Sequence, residues 1–112
     1  AENLLMDNTA VHAIINTIRE HYESSDAVIL STACCGALAN LAVLVDEGHK
    51  RLLNAGGVTA IIDVMIFHQD SKEVQTEACT ALANLSISKD VRMVIVRNGG
   101  VDQLLAAMHS FP

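Results

Sequence analysis

Five histidines and three cysteines are the residues of this 112-residue sequence best suited to binding a metal ion. His21 and His68 fall at corresponding ends of two similar predicted helices. Packed helices lie about 10 Å apart, so one ion does not easily bridge two such histidines. Cys35 and Cys79 also correspond to each other, and both lie on apolar helices, where a free cysteine packs as a small hydrophobic residue. We therefore predict no metal site and no cofactor.

Enzyme motifs are missing from the sequence. It contains no HExxH, no GxSxG and no P-loop pattern, and the pairs Gly56-Gly57 and Gly99-Gly100 suit helix ends better than phosphate binding. The adjacent carboxylates Asp46 and Glu47 are expected in an exposed turn, which lacks the burial that acid–base catalysis requires. The sequence therefore predicts a protein that is not an enzyme and has no catalytic residues.

The overall composition favours stacked helices. Hydrophobic residues make up 51% of the chain but aromatic residues only 3%, so the core must be aliphatic, which suits helices better than a β-sandwich. A net charge of −6 argues against nucleic acid as a partner. There is no apolar run of about 20 residues, no signal-peptide pattern, and no disulfide framework among the three cysteines. We expect an intracellular protein, cytoplasmic or nuclear, without a membrane span.

A sequence repeat is the main structural signal. The run Ala-Leu-Ala-Asn-Leu at 37–41 recurs at 81–85, 44 residues later (81 − 37 = 44), and Gly56-Gly57-Val58 recurs as Gly99-Gly100-Val101. Such a period is typical of solenoids whose repeating unit is two or three helices. Residues that share the same place in this repeat are called equivalent below.

Apolar residues recur at helical spacing in each repeated segment, which predicts a core face on every helix. One stripe occurs three times: Val11, Ile14, Ile15, Ile18; Val58, Ile61, Ile62, Met65; and Val101, Leu104, Leu105, Met108. A second stripe occurs twice: Leu30, Cys34, Ala37, Leu38, Leu41 and Val74, Ala78, Ala81, Leu82, Leu85. With the glycine pairs and the capping residues Ser25-Asp26 and Asp70-Ser71, the stripes predict helices near 11–22, 27–44, 47–54, 58–68, 72–87, 89–97 and 101–109.

This order of helices resembles the armadillo repeat. A short helix ends in Gly-Gly, a middle helix begins Val-x-x-Ile-Ile, and a long helix reads Glu73-Val74-Gln75-x-x-Ala78-x-x-Ala81-Leu82-x-Asn84-Leu85-Ser86. The resemblance implies an all-α fold, specifically a right-handed superhelical armadillo-type α-solenoid. It divides a single domain, 1–112, into one complete repeat, 45–87, and two partial repeats, 1–44 and 88–112. In the first copy Thr9-Ala10 replaces Gly-Gly.

The resemblance also implies a binding site for an extended peptide of a partner protein. In armadillo proteins the long third helices line a concave groove, where a recurring asparagine hydrogen-bonds the peptide backbone, and Asn40 and Asn84 match that asparagine. The predicted groove residues are Asn40, Asn84, Thr80, Glu77, Gly36 and Ser88. Importin α repeats place tryptophan four positions before the asparagine, where this chain has Gly36 and Thr80, so stacking of lysine stems on indole is not expected. Bridging of neighbouring helices by asparagine, without any ligand, is left open.

A structural role is the alternative to peptide binding. About three repeats are usually needed for stability, and this chain has one complete copy between two partial ones. We expect apolar residues at the two ends of the array to be exposed, namely Ile14, Ile18, Leu104 and Leu105. The chain would then be a fragment of a longer array that packs end to end, with a homodimer as one outcome.

Overall fold

A computed structural model describes residues 8–22, 27–44 and 46–111. Within these residues it contains seven helices and no strand: α1 (Asn8–His21), α2 (Ala27–Leu44), α3 (Asp46–Asn54), α4 (Gly57–Phe67), α5 (Lys72–Leu85), α6 (Lys89–Arg97) and α7 (Gly100–Ser110). The predicted all-α class is confirmed. The helix bounds agree with the predicted ones to within about three residues, an ordinary difference at helix ends.

In the repeat, α3 and α6 are the short helices, α1, α4 and α7 are the middle helices, and α2 and α5 are the long helices. A glycine separates each short helix from the middle helix that follows it. Gly56 has φ 81° and lies directly before α4, and Gly99 has φ 77° and lies directly before α7. Both are in the left-handed region, which a side chain with a Cβ disfavours. The predicted role of these glycine pairs as helix boundaries is therefore confirmed.

Serine side chains cap the N-termini of α5 and α6. The hydroxyl oxygen of Ser71 accepts a hydrogen bond from the Val74 N–H at 3.2 Å, and that of Ser88 accepts one from the Val91 N–H at 3.4 Å. Each bond satisfies one of the amides left free in the first turn, at α5 and α6 respectively. The predicted cap at Ser71 is thus confirmed, whereas the one at Ser25-Asp26 lies outside the described residues.

The core is centred on α4, which packs against α1, α5, α6 and α7. The whole apolar stripe of α4 is buried: Val58, Ile61, Ile62 and Met65. The stripe of α1 is buried as well, except that Ile14 is partly exposed. Aliphatic packing around α4, together with the extensive contact between α2 and α5, therefore holds the fold together, as the composition predicts.

One contact recurs between successive middle helices. A Cβ placed on Gly57 would lie 3.4 Å from Ile15 Cδ1, and a Cβ placed on Gly100 would lie 3.2 Å from Ile62 Cδ1. Ile15 and Ile62 are equivalent, and so are the two glycines. The step from α1 to α4 is thus repeated from α4 to α7, which is what a helical repeat requires.

Some predicted core and end residues lie elsewhere. Val101, Leu105 and Met108 were expected in a core stripe but are exposed, because no described helix covers that side of α7. Leu30 was also expected in the core and is exposed for the same reason on α2. The expectation that Ile18 is exposed is wrong, since the α1 stripe turns towards α2 and α4.

The other end residues differ in exposure. Ile14 and Leu104 are partly buried and pack against the core, so Leu105 is the one exposed side chain of the four predicted at the ends.

Replacing Gly100 by alanine is expected to destabilise the fold by about 1–3 kcal/mol, because the new Cβ overpacks the start of α7. That atom would meet Ile95 Cγ2 at 2.5 Å and the Ile95 carbonyl oxygen at 2.9 Å. Urea unfolding followed by far-UV circular dichroism measures the change.

Gly36→Ala is the matched control. Its Cβ would approach only the flexible end of Glu77, at 3.2 Å from Oε2, so stability should be unchanged or rise by up to about 1 kcal/mol through helix propensity. Equal destabilisation by both variants would contradict the packing described for α7.

Candidate functional site

The two long helices, α2 and α5, lie side by side and run parallel. Asn84 Nδ2 on α5 donates a hydrogen bond to the Ala39 carbonyl oxygen on α2 at 3.0 Å. One to two turns earlier, a Cβ on Gly36 would lie 3.2 Å from the Glu77 carboxylate. The two contacts follow in the same order along α2 and along α5, so the two helices run parallel. Gly36 and Ala39 carry little or no side chain, so α5 can approach α2 closely.

A shallow depression follows the first half of this helix pair. It has a volume of about 400 Å³ and is lined by Thr32 of α2 and by Lys72, Glu73, Thr76 and Glu77 of α5. The hydroxyls of Thr32 and Thr76 donate to carbonyls of their own helices, those of Val28 and Lys72. Their oxygen lone pairs are left to accept hydrogen bonds, so the depression offers acceptors and carboxylates to a ligand.

The two predicted asparagines have different surroundings. Asn84 is half-buried and uses Nδ2 to bridge α5 to α2, and its Oδ1 accepts no hydrogen bond from a described residue. Asn40 is exposed, and its side chain makes no hydrogen bond within the described part of the chain. Bridging of neighbouring helices, the role left open by the sequence, is therefore what Asn84 performs, whereas the Asn40 amide faces solvent.

Of the remaining predicted groove residues, three lie on α2 or α5 and one lies in a turn. Gly36 and Glu77 contact each other, and Thr80 is exposed on α5, where its hydroxyl donates to the Thr76 carbonyl at 2.9 Å. Ser88 lies in the turn before α6 and caps that helix. Its oxygen is thus already engaged in holding the fold.

Of the five residues that line the depression, only Glu77 was among the predicted groove residues, and Thr32, Lys72, Glu73 and Thr76 were not. Thr32 and Thr76 line it from opposite helices. They are separated by the same 44 residues (76 − 32 = 44) as Asn40 and Asn84. A search for polar residues at the repeat offset would have found this pair.

The cysteines are poor nucleophiles in this fold. Burial, together with the smaller effects of the neighbouring Cys34 and Glu77, raises the pKa of the Cys35 thiol to about 12. Burial also raises the pKa of Cys34 and of Cys79. Because the thiolate is the reactive and metal-binding form, these groups stay protonated near neutral pH. No group of three histidine, cysteine or carboxylate side chains among the described residues is placed to hold a metal ion.

Repeated contacts between middle helices and a parallel pair of long helices define an all-helical repeat protein. In comparison with known families, residues 50–87 match the Armadillo/beta-catenin-like repeat. The chain therefore contains an armadillo repeat segment, which covers parts of α3 and all of α4 and α5. No curated protein and no solved structure matched the chain.

The family gives a general expectation for the function. Armadillo repeats are protein-interaction scaffolds, and proteins built from them are typically not enzymes. Among the helices described, none is both long and apolar enough to cross a membrane.

Replacing Asn84 by alanine is expected to lower the free energy of unfolding by about 1 kcal/mol, because the bond to Ala39 is lost and that carbonyl loses a partner. Asn40→Ala is the matched control in the equivalent position, and it should leave stability unchanged or raise it slightly through helix propensity. Urea unfolding at low protein concentration tests this pair. Equal effects at both positions would contradict the bridging role of Asn84.

Thiol reactivity should follow burial and pKa. At pH 8 and with Cys35 at a pKa of about 12, only about one thiol in ten thousand would be ionised. Iodoacetamide should therefore modify the partly exposed Cys79 first and reach Cys35 only when urea unfolds the chain. Peptide mapping by mass spectrometry identifies the modified residue. Labelling of Cys35 before Cys79 under native conditions would show that the α2–α5 contact is open.

Proposed function

We propose that the surface formed by α2 and α5 binds an extended segment of a partner protein, with the Asn40 amide hydrogen-bonding its backbone. The parallel contact of α2 and α5 is the observation that carries this proposal, because it puts equivalent residues of successive repeats at regular steps on one surface. An extended chain needs its own amides and carbonyls satisfied at regular steps, and a side-chain amide offers both a donor and an acceptor.

The spacing of the helices suits an extended chain. Packed helices lie about 8–10 Å apart, and an extended strand advances about 3.3 Å per residue. Equivalent residues on α2 and α5 would therefore meet the bound segment every two or three residues. Asn84 would contribute its Oδ1 and its second N–H, since one N–H is bonded to Ala39.

The chemistry of the surface favours a neutral or basic segment with small side chains. Glu73 and Glu77 border the depression, with Lys72 as its one cation. The exposed threonine and alanine side chains provide no aromatic wall, and the chain has no tryptophan. Specificity would come mainly from backbone hydrogen bonds and from the room that Gly36 leaves next to Glu77.

The wider architecture belongs to the same proposal. We infer a right-handed superhelix with a complete repeat at 45–87 between partial repeats at 1–44 and 88–112. The long helices would line its concave side. A cytoplasmic or nuclear location and the absence of a nucleic-acid partner stay predictions from the sequence.

A phage-displayed library of random twelve-residue peptides tests the proposal. Peptides enriched on the wild-type chain would be synthesised, labelled and titrated by fluorescence anisotropy at protein concentrations where the chain is monomeric. Asn40→Ala should weaken their binding about 5- to 30-fold, the effect of losing one or two backbone hydrogen bonds.

Asn16→Ala is the matched control, since Asn16 is an exposed asparagine on α1, outside the α2–α5 surface. It should bind the peptides like the wild type. If the enriched peptides bind wild type, Asn40→Ala and Asn16→Ala with the same affinity, or if none is enriched, the proposed groove is wrong.

A further inference from the structure

The exposed side of α6 carries basic and apolar side chains together. Five residues at helical spacing on this helix line a depression of about 380 Å³, and we call them the α6 face: Lys89, Arg92, Met93, Val96 and Arg97. The one acid of the helix, Asp90, does not line the depression. Three of the seven basic residues of a chain with net charge −6 therefore lie on one side of a short helix.

The three cations of the α6 face form no ion pair with any residue that the structure describes. Arg92 is nevertheless held in place, because its Nη1 donates to the Ser86 carbonyl at 2.7 Å and to the Ile87 carbonyl at 3.0 Å. The N–H groups on its Nε and Nη2 remain for an acceptor outside the described chain. A guanidinium fixed in this way loses less side-chain entropy when it binds a carboxylate.

The preceding short helix indicates how much of this side the next layer of the repeat covers. The equivalents of Met93, Val96 and Arg97 on α3, 43 residues earlier (93 − 50 = 43), are Lys50, Leu53 and Asn54. Lys50 and Asn54 are exposed and Leu53 is partly buried, although α6 and α7 follow α3. Packing within the repeat therefore leaves most of the α6 face open, unlike the apolar stripe of α7, whose equivalent on α4 is buried.

We propose that the α6 face binds a short acidic helix of a partner protein, with apolar side chains against Met93 and Val96 and carboxylates at the cations. Lys89 and Arg97 are eight residues apart, which is about 12 Å along the helix axis. Carboxylates seven or eight positions apart on a partner helix span the same distance. Apolar side chains three and four positions after the first carboxylate fall between them on the same side, which is how an amphipathic helix binds a groove.

Charge favours a small acidic ligand over a large anionic surface. The three cations attract carboxylates at close range, but the net charge of −6 repels a membrane or a nucleic acid that carries many negative charges. Helices that bind membranes also insert a long apolar stripe, whereas the exposed large apolar side chains of α6 are Met93 and Val96. The α6 face shares no residue with the α2–α5 surface and prefers the opposite charge, so this inference goes beyond the proposed function and does not rest on it.

A phage-displayed library of helical peptides of about fourteen residues tests the chemistry of the ligand. The library is selected on the wild-type chain and counter-selected on Met93→Glu, which places a carboxylate in the middle of the α6 face. This variant should fold, because the equivalent Lys50 is already charged and exposed, and circular dichroism checks that it does. Enriched peptides should carry aspartate or glutamate on both sides of an apolar stripe. Enrichment of neutral or basic peptides, or of none, would overturn the proposal.

Titration of the enriched peptides by fluorescence anisotropy tests the residues. Arg97→Gln should weaken binding about 2- to 5-fold, the effect of one exposed ion pair, and Met93→Glu at least about tenfold. Lys50→Gln is the matched control, since it removes the same charge from an exposed position on α3 and should bind like the wild type. Equal weakening by Arg97→Gln and Lys50→Gln would contradict a specific site. Asn40→Ala should leave the affinity unchanged, which separates this surface from the α2–α5 surface.

Cosedimentation with phosphatidylserine vesicles tests the membrane as the alternative ligand. The wild-type chain should stay in the supernatant, because its net charge repels the vesicles. Binding to the vesicles that Met93→Glu abolishes would assign the α6 face to a lipid surface and overturn the proposal of an acidic helix.

Discussion

The close parallel contact of α2 and α5 is the constraint on which the other features depend. On α2, Gly36 lies next to the Glu77 carboxylate of α5, and the Ala39 carbonyl accepts the hydrogen bond of Asn84. Both α2 residues carry little or no side chain, which lets the two helices approach. Bulkier residues would push the helices apart and lengthen the distance between Asn84 and the Ala39 carbonyl beyond hydrogen-bonding range. The distance between α2 and α5 determines how deep the surface between them is and how far apart their equivalent residues lie.

The middle helices add further apolar burial, and α4 has its whole apolar stripe buried. Each places the same isoleucine position against the first glycine of the next middle helix, at Ile15 with Gly57 and at Ile62 with Gly100. Contacts between neighbours of this type add along the chain, so stability grows with each layer. The ion pair of Arg19 with Asp63 also links α1 to α4, but both side chains are partly exposed, so its contribution is small beside aliphatic burial.

Local sequence patterns were sufficient to predict the helices, but not to predict what covers them. Glycine pairs, serine caps and apolar spacing are properties of a few adjacent residues, and they located the helix ends to within a turn. The exposure of a side chain depends on the neighbouring layers, so the same apolar stripe is buried on α4 and largely exposed on α7. For the same reason Leu30 is exposed, whereas the equivalent Val74 is buried. The bond from Asn84 to Ala39 joins residues 45 apart in sequence, and only the three-dimensional packing identifies the acceptor.

Asparagine at the repeated position can serve both stacking and binding because its side-chain amide has more hydrogen-bonding capacity than either task uses. It has two donors and two acceptor lone pairs. At Asn84 one donor is bonded to the preceding long helix, which holds the side chain in a single orientation. Fixing that rotamer before a ligand arrives lowers the entropy cost of binding, since a free side chain would lose its mobility on contact. Helix stacking and the proposed peptide binding would therefore not compete for this residue. The second N–H and the Oδ1 of Asn84 make no hydrogen bond with a described residue and would remain for the proposed segment, whereas an alanine there would give up both.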